Sequence, residues 1–127
     1  MNTRESAENY LETILVLQNR LGMVRSVDIV NELDFTRPSV SVAMKKLRES
    51  GQVAMDSDGY ITLTESGLAT AKRMFARHTI LAGFLAALGV DEQTASQDAC
   101  RIEHVISEQS YEKILAFVSK GIPREER

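Results

Sequence analysis

Residues 34–51 read Asp34-Phe35-Thr36-Arg37-Pro38-Ser39-Val40-Ser41-Val42-Ala43-Met44-Lys45-Lys46-Leu47-Arg48-Glu49-Ser50-Gly51. Pro38 suits the first turn of a helix, because the amide hydrogen it lacks would find no intrahelical partner there. The pattern predicts a helix from this point to Glu49 or Ser50, stopping at Gly51. Val40, Met44 and Leu47 recur at helical spacing and mark its buried side, leaving Ser39, Ser41, Val42, Lys45 and Lys46 facing out. Upstream, Ser26 is a good N-cap for a short helix with Ile29, Val30 and Leu33 on its apolar face. Only Asp34-Phe35-Thr36-Arg37 lies between that helix and Pro38. Two short helices joined by so tight a turn, the second small and polar at its start, form the pattern of a helix-turn-helix.

Outward from this core the period changes. Gln52–Met55 and Tyr60–Leu63 are short strand candidates around Asp56-Ser57-Asp58-Gly59, and Asp-Gly is a strong hairpin signal because it tolerates positive φ. A hairpin directly after the recognition helix is the wing of a winged helix. Before the motif, Ala7, Tyr10, Leu11, Ile14, Leu15, Leu17 and Leu21 have a helical period, and Gly22 is the expected C-cap. After it, Thr64 should cap a long helix from about Glu65 to Leu88, ending at Gly89. Its inner face would use Leu68, Ala71, Phe75, Leu81, Phe84, Leu85 and Leu88. Asp91 should cap a further helix to about Glu108, and Ser110 a last one through Val118. The expected fold is mainly α with a small β-hairpin wing. It has a winged helix-turn-helix over 1–64, a connecting part of the long helix over 65–72, and a helical lobe over 73–127. The apolar surplus of that lobe, with Phe75, Phe84, Leu85, Leu88 and Ile106, exceeds what so short a segment can bury alone, so a homodimer is expected.

Composition narrows the function classes. Hydrophobic residues make up 43% and charged residues 26%, ordinary for a soluble globular protein. The longest apolar stretch, Ile80 to Val90, is about half of the ~20 residues a membrane span needs, so no membrane partner is expected. The opening MNTRESAEN lacks the apolar core of a secretory signal. A single cysteine, Cys100, excludes an internal disulfide and fits a reducing cytoplasm. The net charge of −3 argues at first against nucleic acid. Distribution decides more than the sum, however: Arg37, Lys45, Lys46 and Arg48 are basic with no acid among them. A solvated helix face would explain these charges alone; a helix-turn-helix gives them a double-stranded DNA partner. Arg25, Ser26, Thr36, Arg37, Pro38, Ser39, Ser41, Val42, Lys45 and Lys46 are the candidate contacts. Pro38, Ser39, Ser41 and Val42 should face base edges, and Arg37, Lys45 and Lys46 should mainly meet phosphate.

A second cluster carries different chemistry. Cys100, Glu103 and His104 are spaced i, i+3 and i+4, which puts thiol, carboxylate and imidazole on one helical face. That is half of a transition-metal site. His78 precedes the apolar run of the neighbouring helix, and antiparallel packing could bring it to the same place. On the first helix Asn9 and Glu12 are three apart beside the apolar stripe. The plainer alternative keeps Glu103 and His104 on the surface and makes Cys100 a small core residue. A nucleophile–base pair of Cys100 and His104 would need a third orienting residue and an oxyanion turn, and none accompanies it.

Four segments in order, Ala7-Glu8-Asn9-Tyr10-Leu11-Glu12-Thr13-Ile14, Pro38-Ser39-Val40-Ser41, Arg77-His78 and Asp98-Ala99-Cys100-Arg101-Ile102-Glu103-His104-Val105, resemble the diphtheria-toxin-repressor family of metal-dependent regulators. The resemblance extends over nearly the whole chain. Size points to the shorter manganese-regulator branch, with no SH3-like third domain. The resemblance implies a metal site of Asn9, Glu12, His78, Cys100, Glu103 and His104. Glu12, His78, Glu103 and His104 match the manganese branch in residue type. Cys100 sits where the iron branch has cysteine and the manganese branch glutamate; Asn9 replaces methionine or aspartate. Ala82 and Ser96 replace ligands of the iron branch's ancillary site. The implied cofactor is Mn(II) or Fe(II), with Co(II), Ni(II) or Zn(II) able to bind in vitro. The implied function is a cytoplasmic, homodimeric repressor of metal-uptake genes on a palindromic operator, and not an enzyme. The competing expectation is a metal-independent winged-helix repressor that answers to a small molecule or to oxidation of Cys100.

Overall fold

The computed structural model describes residues 2–120. Helix α1 (Thr3–Leu21) is followed by β1 (Val24–Arg25), α2 (Ser26–Leu33), α3 (Arg37–Glu49), β2 (Val53–Met55) and β3 (Tyr60–Leu63). Three further helices follow: α4 (Glu65–Ala87), α5 (Glu92–Val105) and α6 (Glu108–Ser119). The chain divides into two compact units, with the boundary between Arg73 and Met74 inside α4. The mainly helical, winged fold class read from sequence is what the structure has. Among the described residues no helix is long and apolar enough to cross a membrane.

The first unit is built on α1. Asn2 caps it by accepting the Glu5 amide, and Gly22 ends it at φ 87°. Tyr10, Leu11, Ile14 and Leu17 are buried on one stripe of this helix. They meet Ile29 of α2, Val40, Met44 and Leu47 of α3, Val24, Val53 and Ile61 of the strands, and Ala71 of α4. The tight turn between α2 and α3 works because Asp34 adopts the left-handed conformation at φ 56°, which aspartate tolerates better than most residues. Thr36 then caps α3 through its hydroxyl, which accepts the Ser39 amide, and Pro38 lies in the first turn.

Two details differ from expectation here. Ser26 is not the cap of α2 but its first residue; Arg25 holds the cap position and donates its amide to the Asp28 carboxylate at 2.8 Å. The Asp28 carboxylate reaches back to the Arg25 amide, so Arg25 takes the cap position and Ser26 falls at the first helical one. The wing is also more than a hairpin. β1 adds a third strand in the order β1-β3-β2, all antiparallel, with Val24 opposite Ile61 and Arg25 opposite Tyr60. At the wing tip Asp56 Oδ1 accepts the amides of Asp58 and Tyr60, and Gly59 takes φ 86°. Where α4 leaves the wing, a Cβ at Gly67 would overlap the carbonyl oxygen of Gln52, so only glycine permits this approach of helix to strand.

The second unit holds the remainder of α4 with α5 and α6. Met74, Leu81, Ala95, Ala99 and Tyr111 are its buried apolar residues. Asp91 caps α5 as expected, accepting the Thr94 amide. The cap of α6 is Ser107, not Ser110: its hydroxyl accepts the amide of Ser110, one turn on. Helix α5 consequently stops at Val105, short of Glu108. Phe84 and Phe117 meet edge to face, their centroids 6.1 Å apart. Phe75 and Leu88, expected on the inner face of α4, are instead 44% and 62% exposed in the single chain. The C-terminal part of the expected helical lobe, 121–127, lies outside the described residues.

Candidate metal centre and DNA-reading face

Glu103 organises the polar centre of the second unit. Its side chain is fully buried near the end of α5, and each carboxylate oxygen faces an imidazole. His78 Nδ1, on α4, lies 3.0 Å from Oε1, and His104 Nε2 lies 3.4 Å from Oε2. His104 is buried as well; His78 is partly exposed, with Nε2 3.4 Å from the Ser96 hydroxyl. With Glu103 ionised, hydrogen-bond logic assigns the proton to His78 Nδ1, leaving the Nε2 lone pair on the side of Ser96.

An ionised carboxylate buried this deeply costs several kcal/mol unless positive charge meets it. An imidazolium or a metal ion supplies that charge. One carboxylate with two imidazoles is a mixed oxygen and nitrogen donor set: carboxylate suits Mn, and imidazole suits Fe, Ni and Zn. These residues therefore fit a divalent transition metal. Cys100, one turn earlier on α5, is exposed. Asn9 and Glu12 lie on α1 in the first unit, Glu12 buried and Asn9 half-buried.

The sequence pattern assigned no task to Arg77, which is buried. Its guanidinium donates to the backbone carbonyls of Glu103 at 3.0 Å and Ile106 at 3.3 Å. It also pairs with the Glu108 carboxylate at 2.6 Å and lies over the Tyr111 ring at 5.0 Å. Both carbonyls sit at the end of α5, where helix geometry leaves acceptors without intrahelical donors. Arg77 thus closes α5 from a neighbouring helix. Burial pushes the Tyr111 phenol up from its usual range; the Arg77 charge works against that shift, and Glu108 adds to it. The available signal was an arginine next to His78 on a helix whose other inward positions are apolar.

On the first unit, Arg37, Pro38, Ser39, Ser41, Val42, Lys45 and Lys46 are all exposed along one side of α3. The Thr36 hydroxyl donates to Ser39 Oγ at 2.8 Å, so part of its capacity is used within the cap. An open groove of about 540 Å³ runs beside this face, lined by Ala7 and Tyr10 of α1 and by Pro38, Val42, Lys46 and Leu47 of α3. Arg25 is exposed at the start of α2 and Ser26 half-buried. The candidate DNA contacts on α3 therefore share one surface, and Arg25 and Ser26 are the cap and the first residue of α2.

Comparison with known proteins agrees with both halves. Residues 2–64 match the N-terminal DNA-binding domain of the iron dependent repressor family, and residues 64–121 match its metal-binding and dimerisation domain. A helix-turn-helix-type transcriptional regulator of Methanocaldococcus jannaschii is 34% identical over 91% of this chain and 94% of its own length. The regulator MntR of Bacillus subtilis is 33% identical, over 88% of this chain and 79% of its own length. Among solved structures, a manganese-dependent transcriptional repressor in complex with manganese matches with a TM-score of 0.80 at 28% identity. That match covers 92% of this chain and 53% of the other, so this chain spans about half that protein's length. With both domains matched and relatives above 30% identity along most of their length, the chain belongs to the iron-dependent repressor family of DNA-binding transcriptional regulators.

Proposed function

We propose that this chain works as a homodimeric repressor that takes hold of a palindromic operator when it carries Mn(II) or Fe(II), and so restrains metal-uptake genes. The observation that carries the reading is the buried Glu103 carboxylate between His78 and His104. A fully buried acid flanked by two imidazoles suits a cation better than it suits a hydrophobic core. His78, Glu103 and His104 would hold the ion, with Asn9 and Glu12 joining from α1 and Cys100 from the outer turn of α5. An ion drawing donors from both α1 and α5 would favour one arrangement of the two reading heads. Proper spacing puts two recognition helices one DNA turn apart, ~34–36 Å. If metal binds the DNA-competent state 100-fold better, it contributes about 2.7 kcal/mol to operator binding at saturation.

The direct test compares Glu103→Gln and His104→Ala with the wild-type chain on genomic DNA from upstream of metal-transport genes, with and without Mn(II). Wild-type affinity should rise with metal, and both variants should stay dimeric and lose that rise. If both keep the full metal response, the metalloregulator reading fails and the metal-independent repressor replaces it.

A further inference from the structure

Arg25 and Tyr60 face each other across the β1–β3 ladder, and the Arg25 guanidinium lies 4.4 Å from the centre of the Tyr60 ring. Neither partner is loosely held. The Arg25 backbone is fixed as the cap of α2 by the 2.8 Å bond from its amide to Asp28. The Tyr60 backbone is fixed at the turn end of β3 by the 2.9 Å bond from its amide to Asp56 Oδ1. Arg25 is exposed and Tyr60 half-buried, so the ring is a shelf and the guanidinium its outer layer.

Stacking uses the flat face of a guanidinium and leaves its N–H edge available to fork onto a phosphate. The position suits that use, since the first helix of a helix-turn-helix crosses the DNA backbone while the second enters the groove. The turn residues do not suit it: Asp56 and Asp58 are exposed acids that would repel phosphate. The hairpin therefore has more to offer DNA from the β1 side of Tyr60 than from the turn itself.

We propose that Tyr60 is a positioning residue for DNA binding: its ring holds the Arg25 guanidinium in advance as a phosphate contact at the start of α2. This rests on the DNA-binding reading above and adds a residue to it. A free arginine loses rotamer freedom when it meets phosphate, whereas a stacked one has lost part of it already. Removing the ring should therefore weaken binding without removing the phosphate contact.

The test is a double-mutant cycle read by fluorescence anisotropy. It uses the full chain with Mn(II) and a mixed-sequence DNA duplex long enough for two half-sites, over a range of KCl. Arg25→Gln should lower the magnitude of the salt slope by about 0.9, the value for one phosphate. Tyr60→Leu should weaken binding about two- to fivefold with little change of slope. Tyr60→Phe, which keeps the ring, should restore wild-type affinity. Added to Arg25→Gln, Tyr60→Leu should cost nothing further. Tyr60→Thr keeps strand propensity and repeats the cycle if the leucine variant does not fold. Equal losses from Tyr60→Leu with and without Arg25, or a Phe variant as weak as the Leu one, overturn the inference alone. No binding by the wild-type chain overturns the DNA reading and this inference with it.

Discussion

Arg77 donates to the backbone carbonyl of Glu103 at 3.0 Å, while its neighbour His78 meets the Glu103 carboxylate, also at 3.0 Å. Two consecutive residues of α4 thus hold one residue of α5 at both its backbone and its side chain. Arg77→Met should destabilise the chain by about 2–4 kcal/mol, chiefly by stranding the buried carbonyl of Glu103 and the partly buried one of Ile106. The ion pair with Glu108 contributes less, because that carboxylate is 65% exposed. Glu108→Gln should accordingly cost under ~1 kcal/mol. Metal affinity should fall in the Arg77 variant and hold in the Glu108 variant. Denaturant unfolding and metal titration check both, and equal losses would show that the ion pair matters more than the helix end.

Gly67→Ala sets two effects against each other. Alanine gains ~1 kcal/mol of helix propensity over glycine. At this position its Cβ would overlap the Gln52 carbonyl oxygen, a backbone atom that cannot rotate away. Overpacking of that kind costs ~1–3 kcal/mol, so net destabilisation is expected. Gly83→Ala on the same helix meets nothing within 4 Å and should stabilise by ~1 kcal/mol. Thermal melts of the two variants should move in opposite directions; movement in the same direction would refute the steric argument.

The helix-turn-helix and its wing were legible because their signals are local: Pro38 in a first turn, Asp58-Gly59 between two strands. β1 was not, since two residues form a strand only where Tyr60 and Ile61 offer an open edge to pair with. The choice of Ser107 over Ser110 as a cap was equally hidden. Both are serines followed by helix formers, and the end of α5 is set by Arg77, a distant residue in sequence. At the candidate metal centre, spacing alone put Cys100, Glu103 and His104 on one face. Helical angle says nothing about height along the axis, and one turn separates the exposed Cys100 from the buried pair. The exposure of Phe75 and Leu88 has a similar cause, because a periodic pattern marks an apolar face without saying what covers it.

Cys100 offers a test of metal preference. A thiolate ligand favours Zn(II), Co(II) or Fe(II) over Mn(II), while a hydroxyl in its place is harder and weaker. Cys100→Ser should therefore shift relative affinity toward Mn(II) in a Mn(II)/Co(II) competition. It should also abolish any thiolate-to-cobalt charge-transfer absorption. An unchanged spectrum and preference would remove the thiol from the ligand set. Because the residue is exposed, peroxide can be tried on the same pair of proteins. Peroxide that releases DNA from the wild-type chain but not from the serine variant would favour oxidation as the signal.

Lys46 separates positioning from reading on α3. It is exposed on the same side as Val42 and Lys45, near the end of the helix and away from the small residues of its first turn. A point charge on a flexible stem suits phosphate, which carries no sequence information. Lys46→Ala should weaken binding to every duplex alike and reduce the magnitude of the salt slope by about 0.9, as expected when a single phosphate is no longer neutralised. Val42 is different: it is 55% exposed on an otherwise polar helix face, where an apolar side chain can meet a thymine methyl. Val42→Ser should leave the salt slope unchanged and narrow the gap between preferred and scrambled duplexes. Each such base-edge interaction is worth at most the ~1–3 kcal/mol of one mismatched base pair. Affinities of both variants for matched and scrambled duplexes, measured across salt, decide the assignment. A Lys46 variant with altered preference and intact slope would exchange the two roles and place the reading residues further along α3.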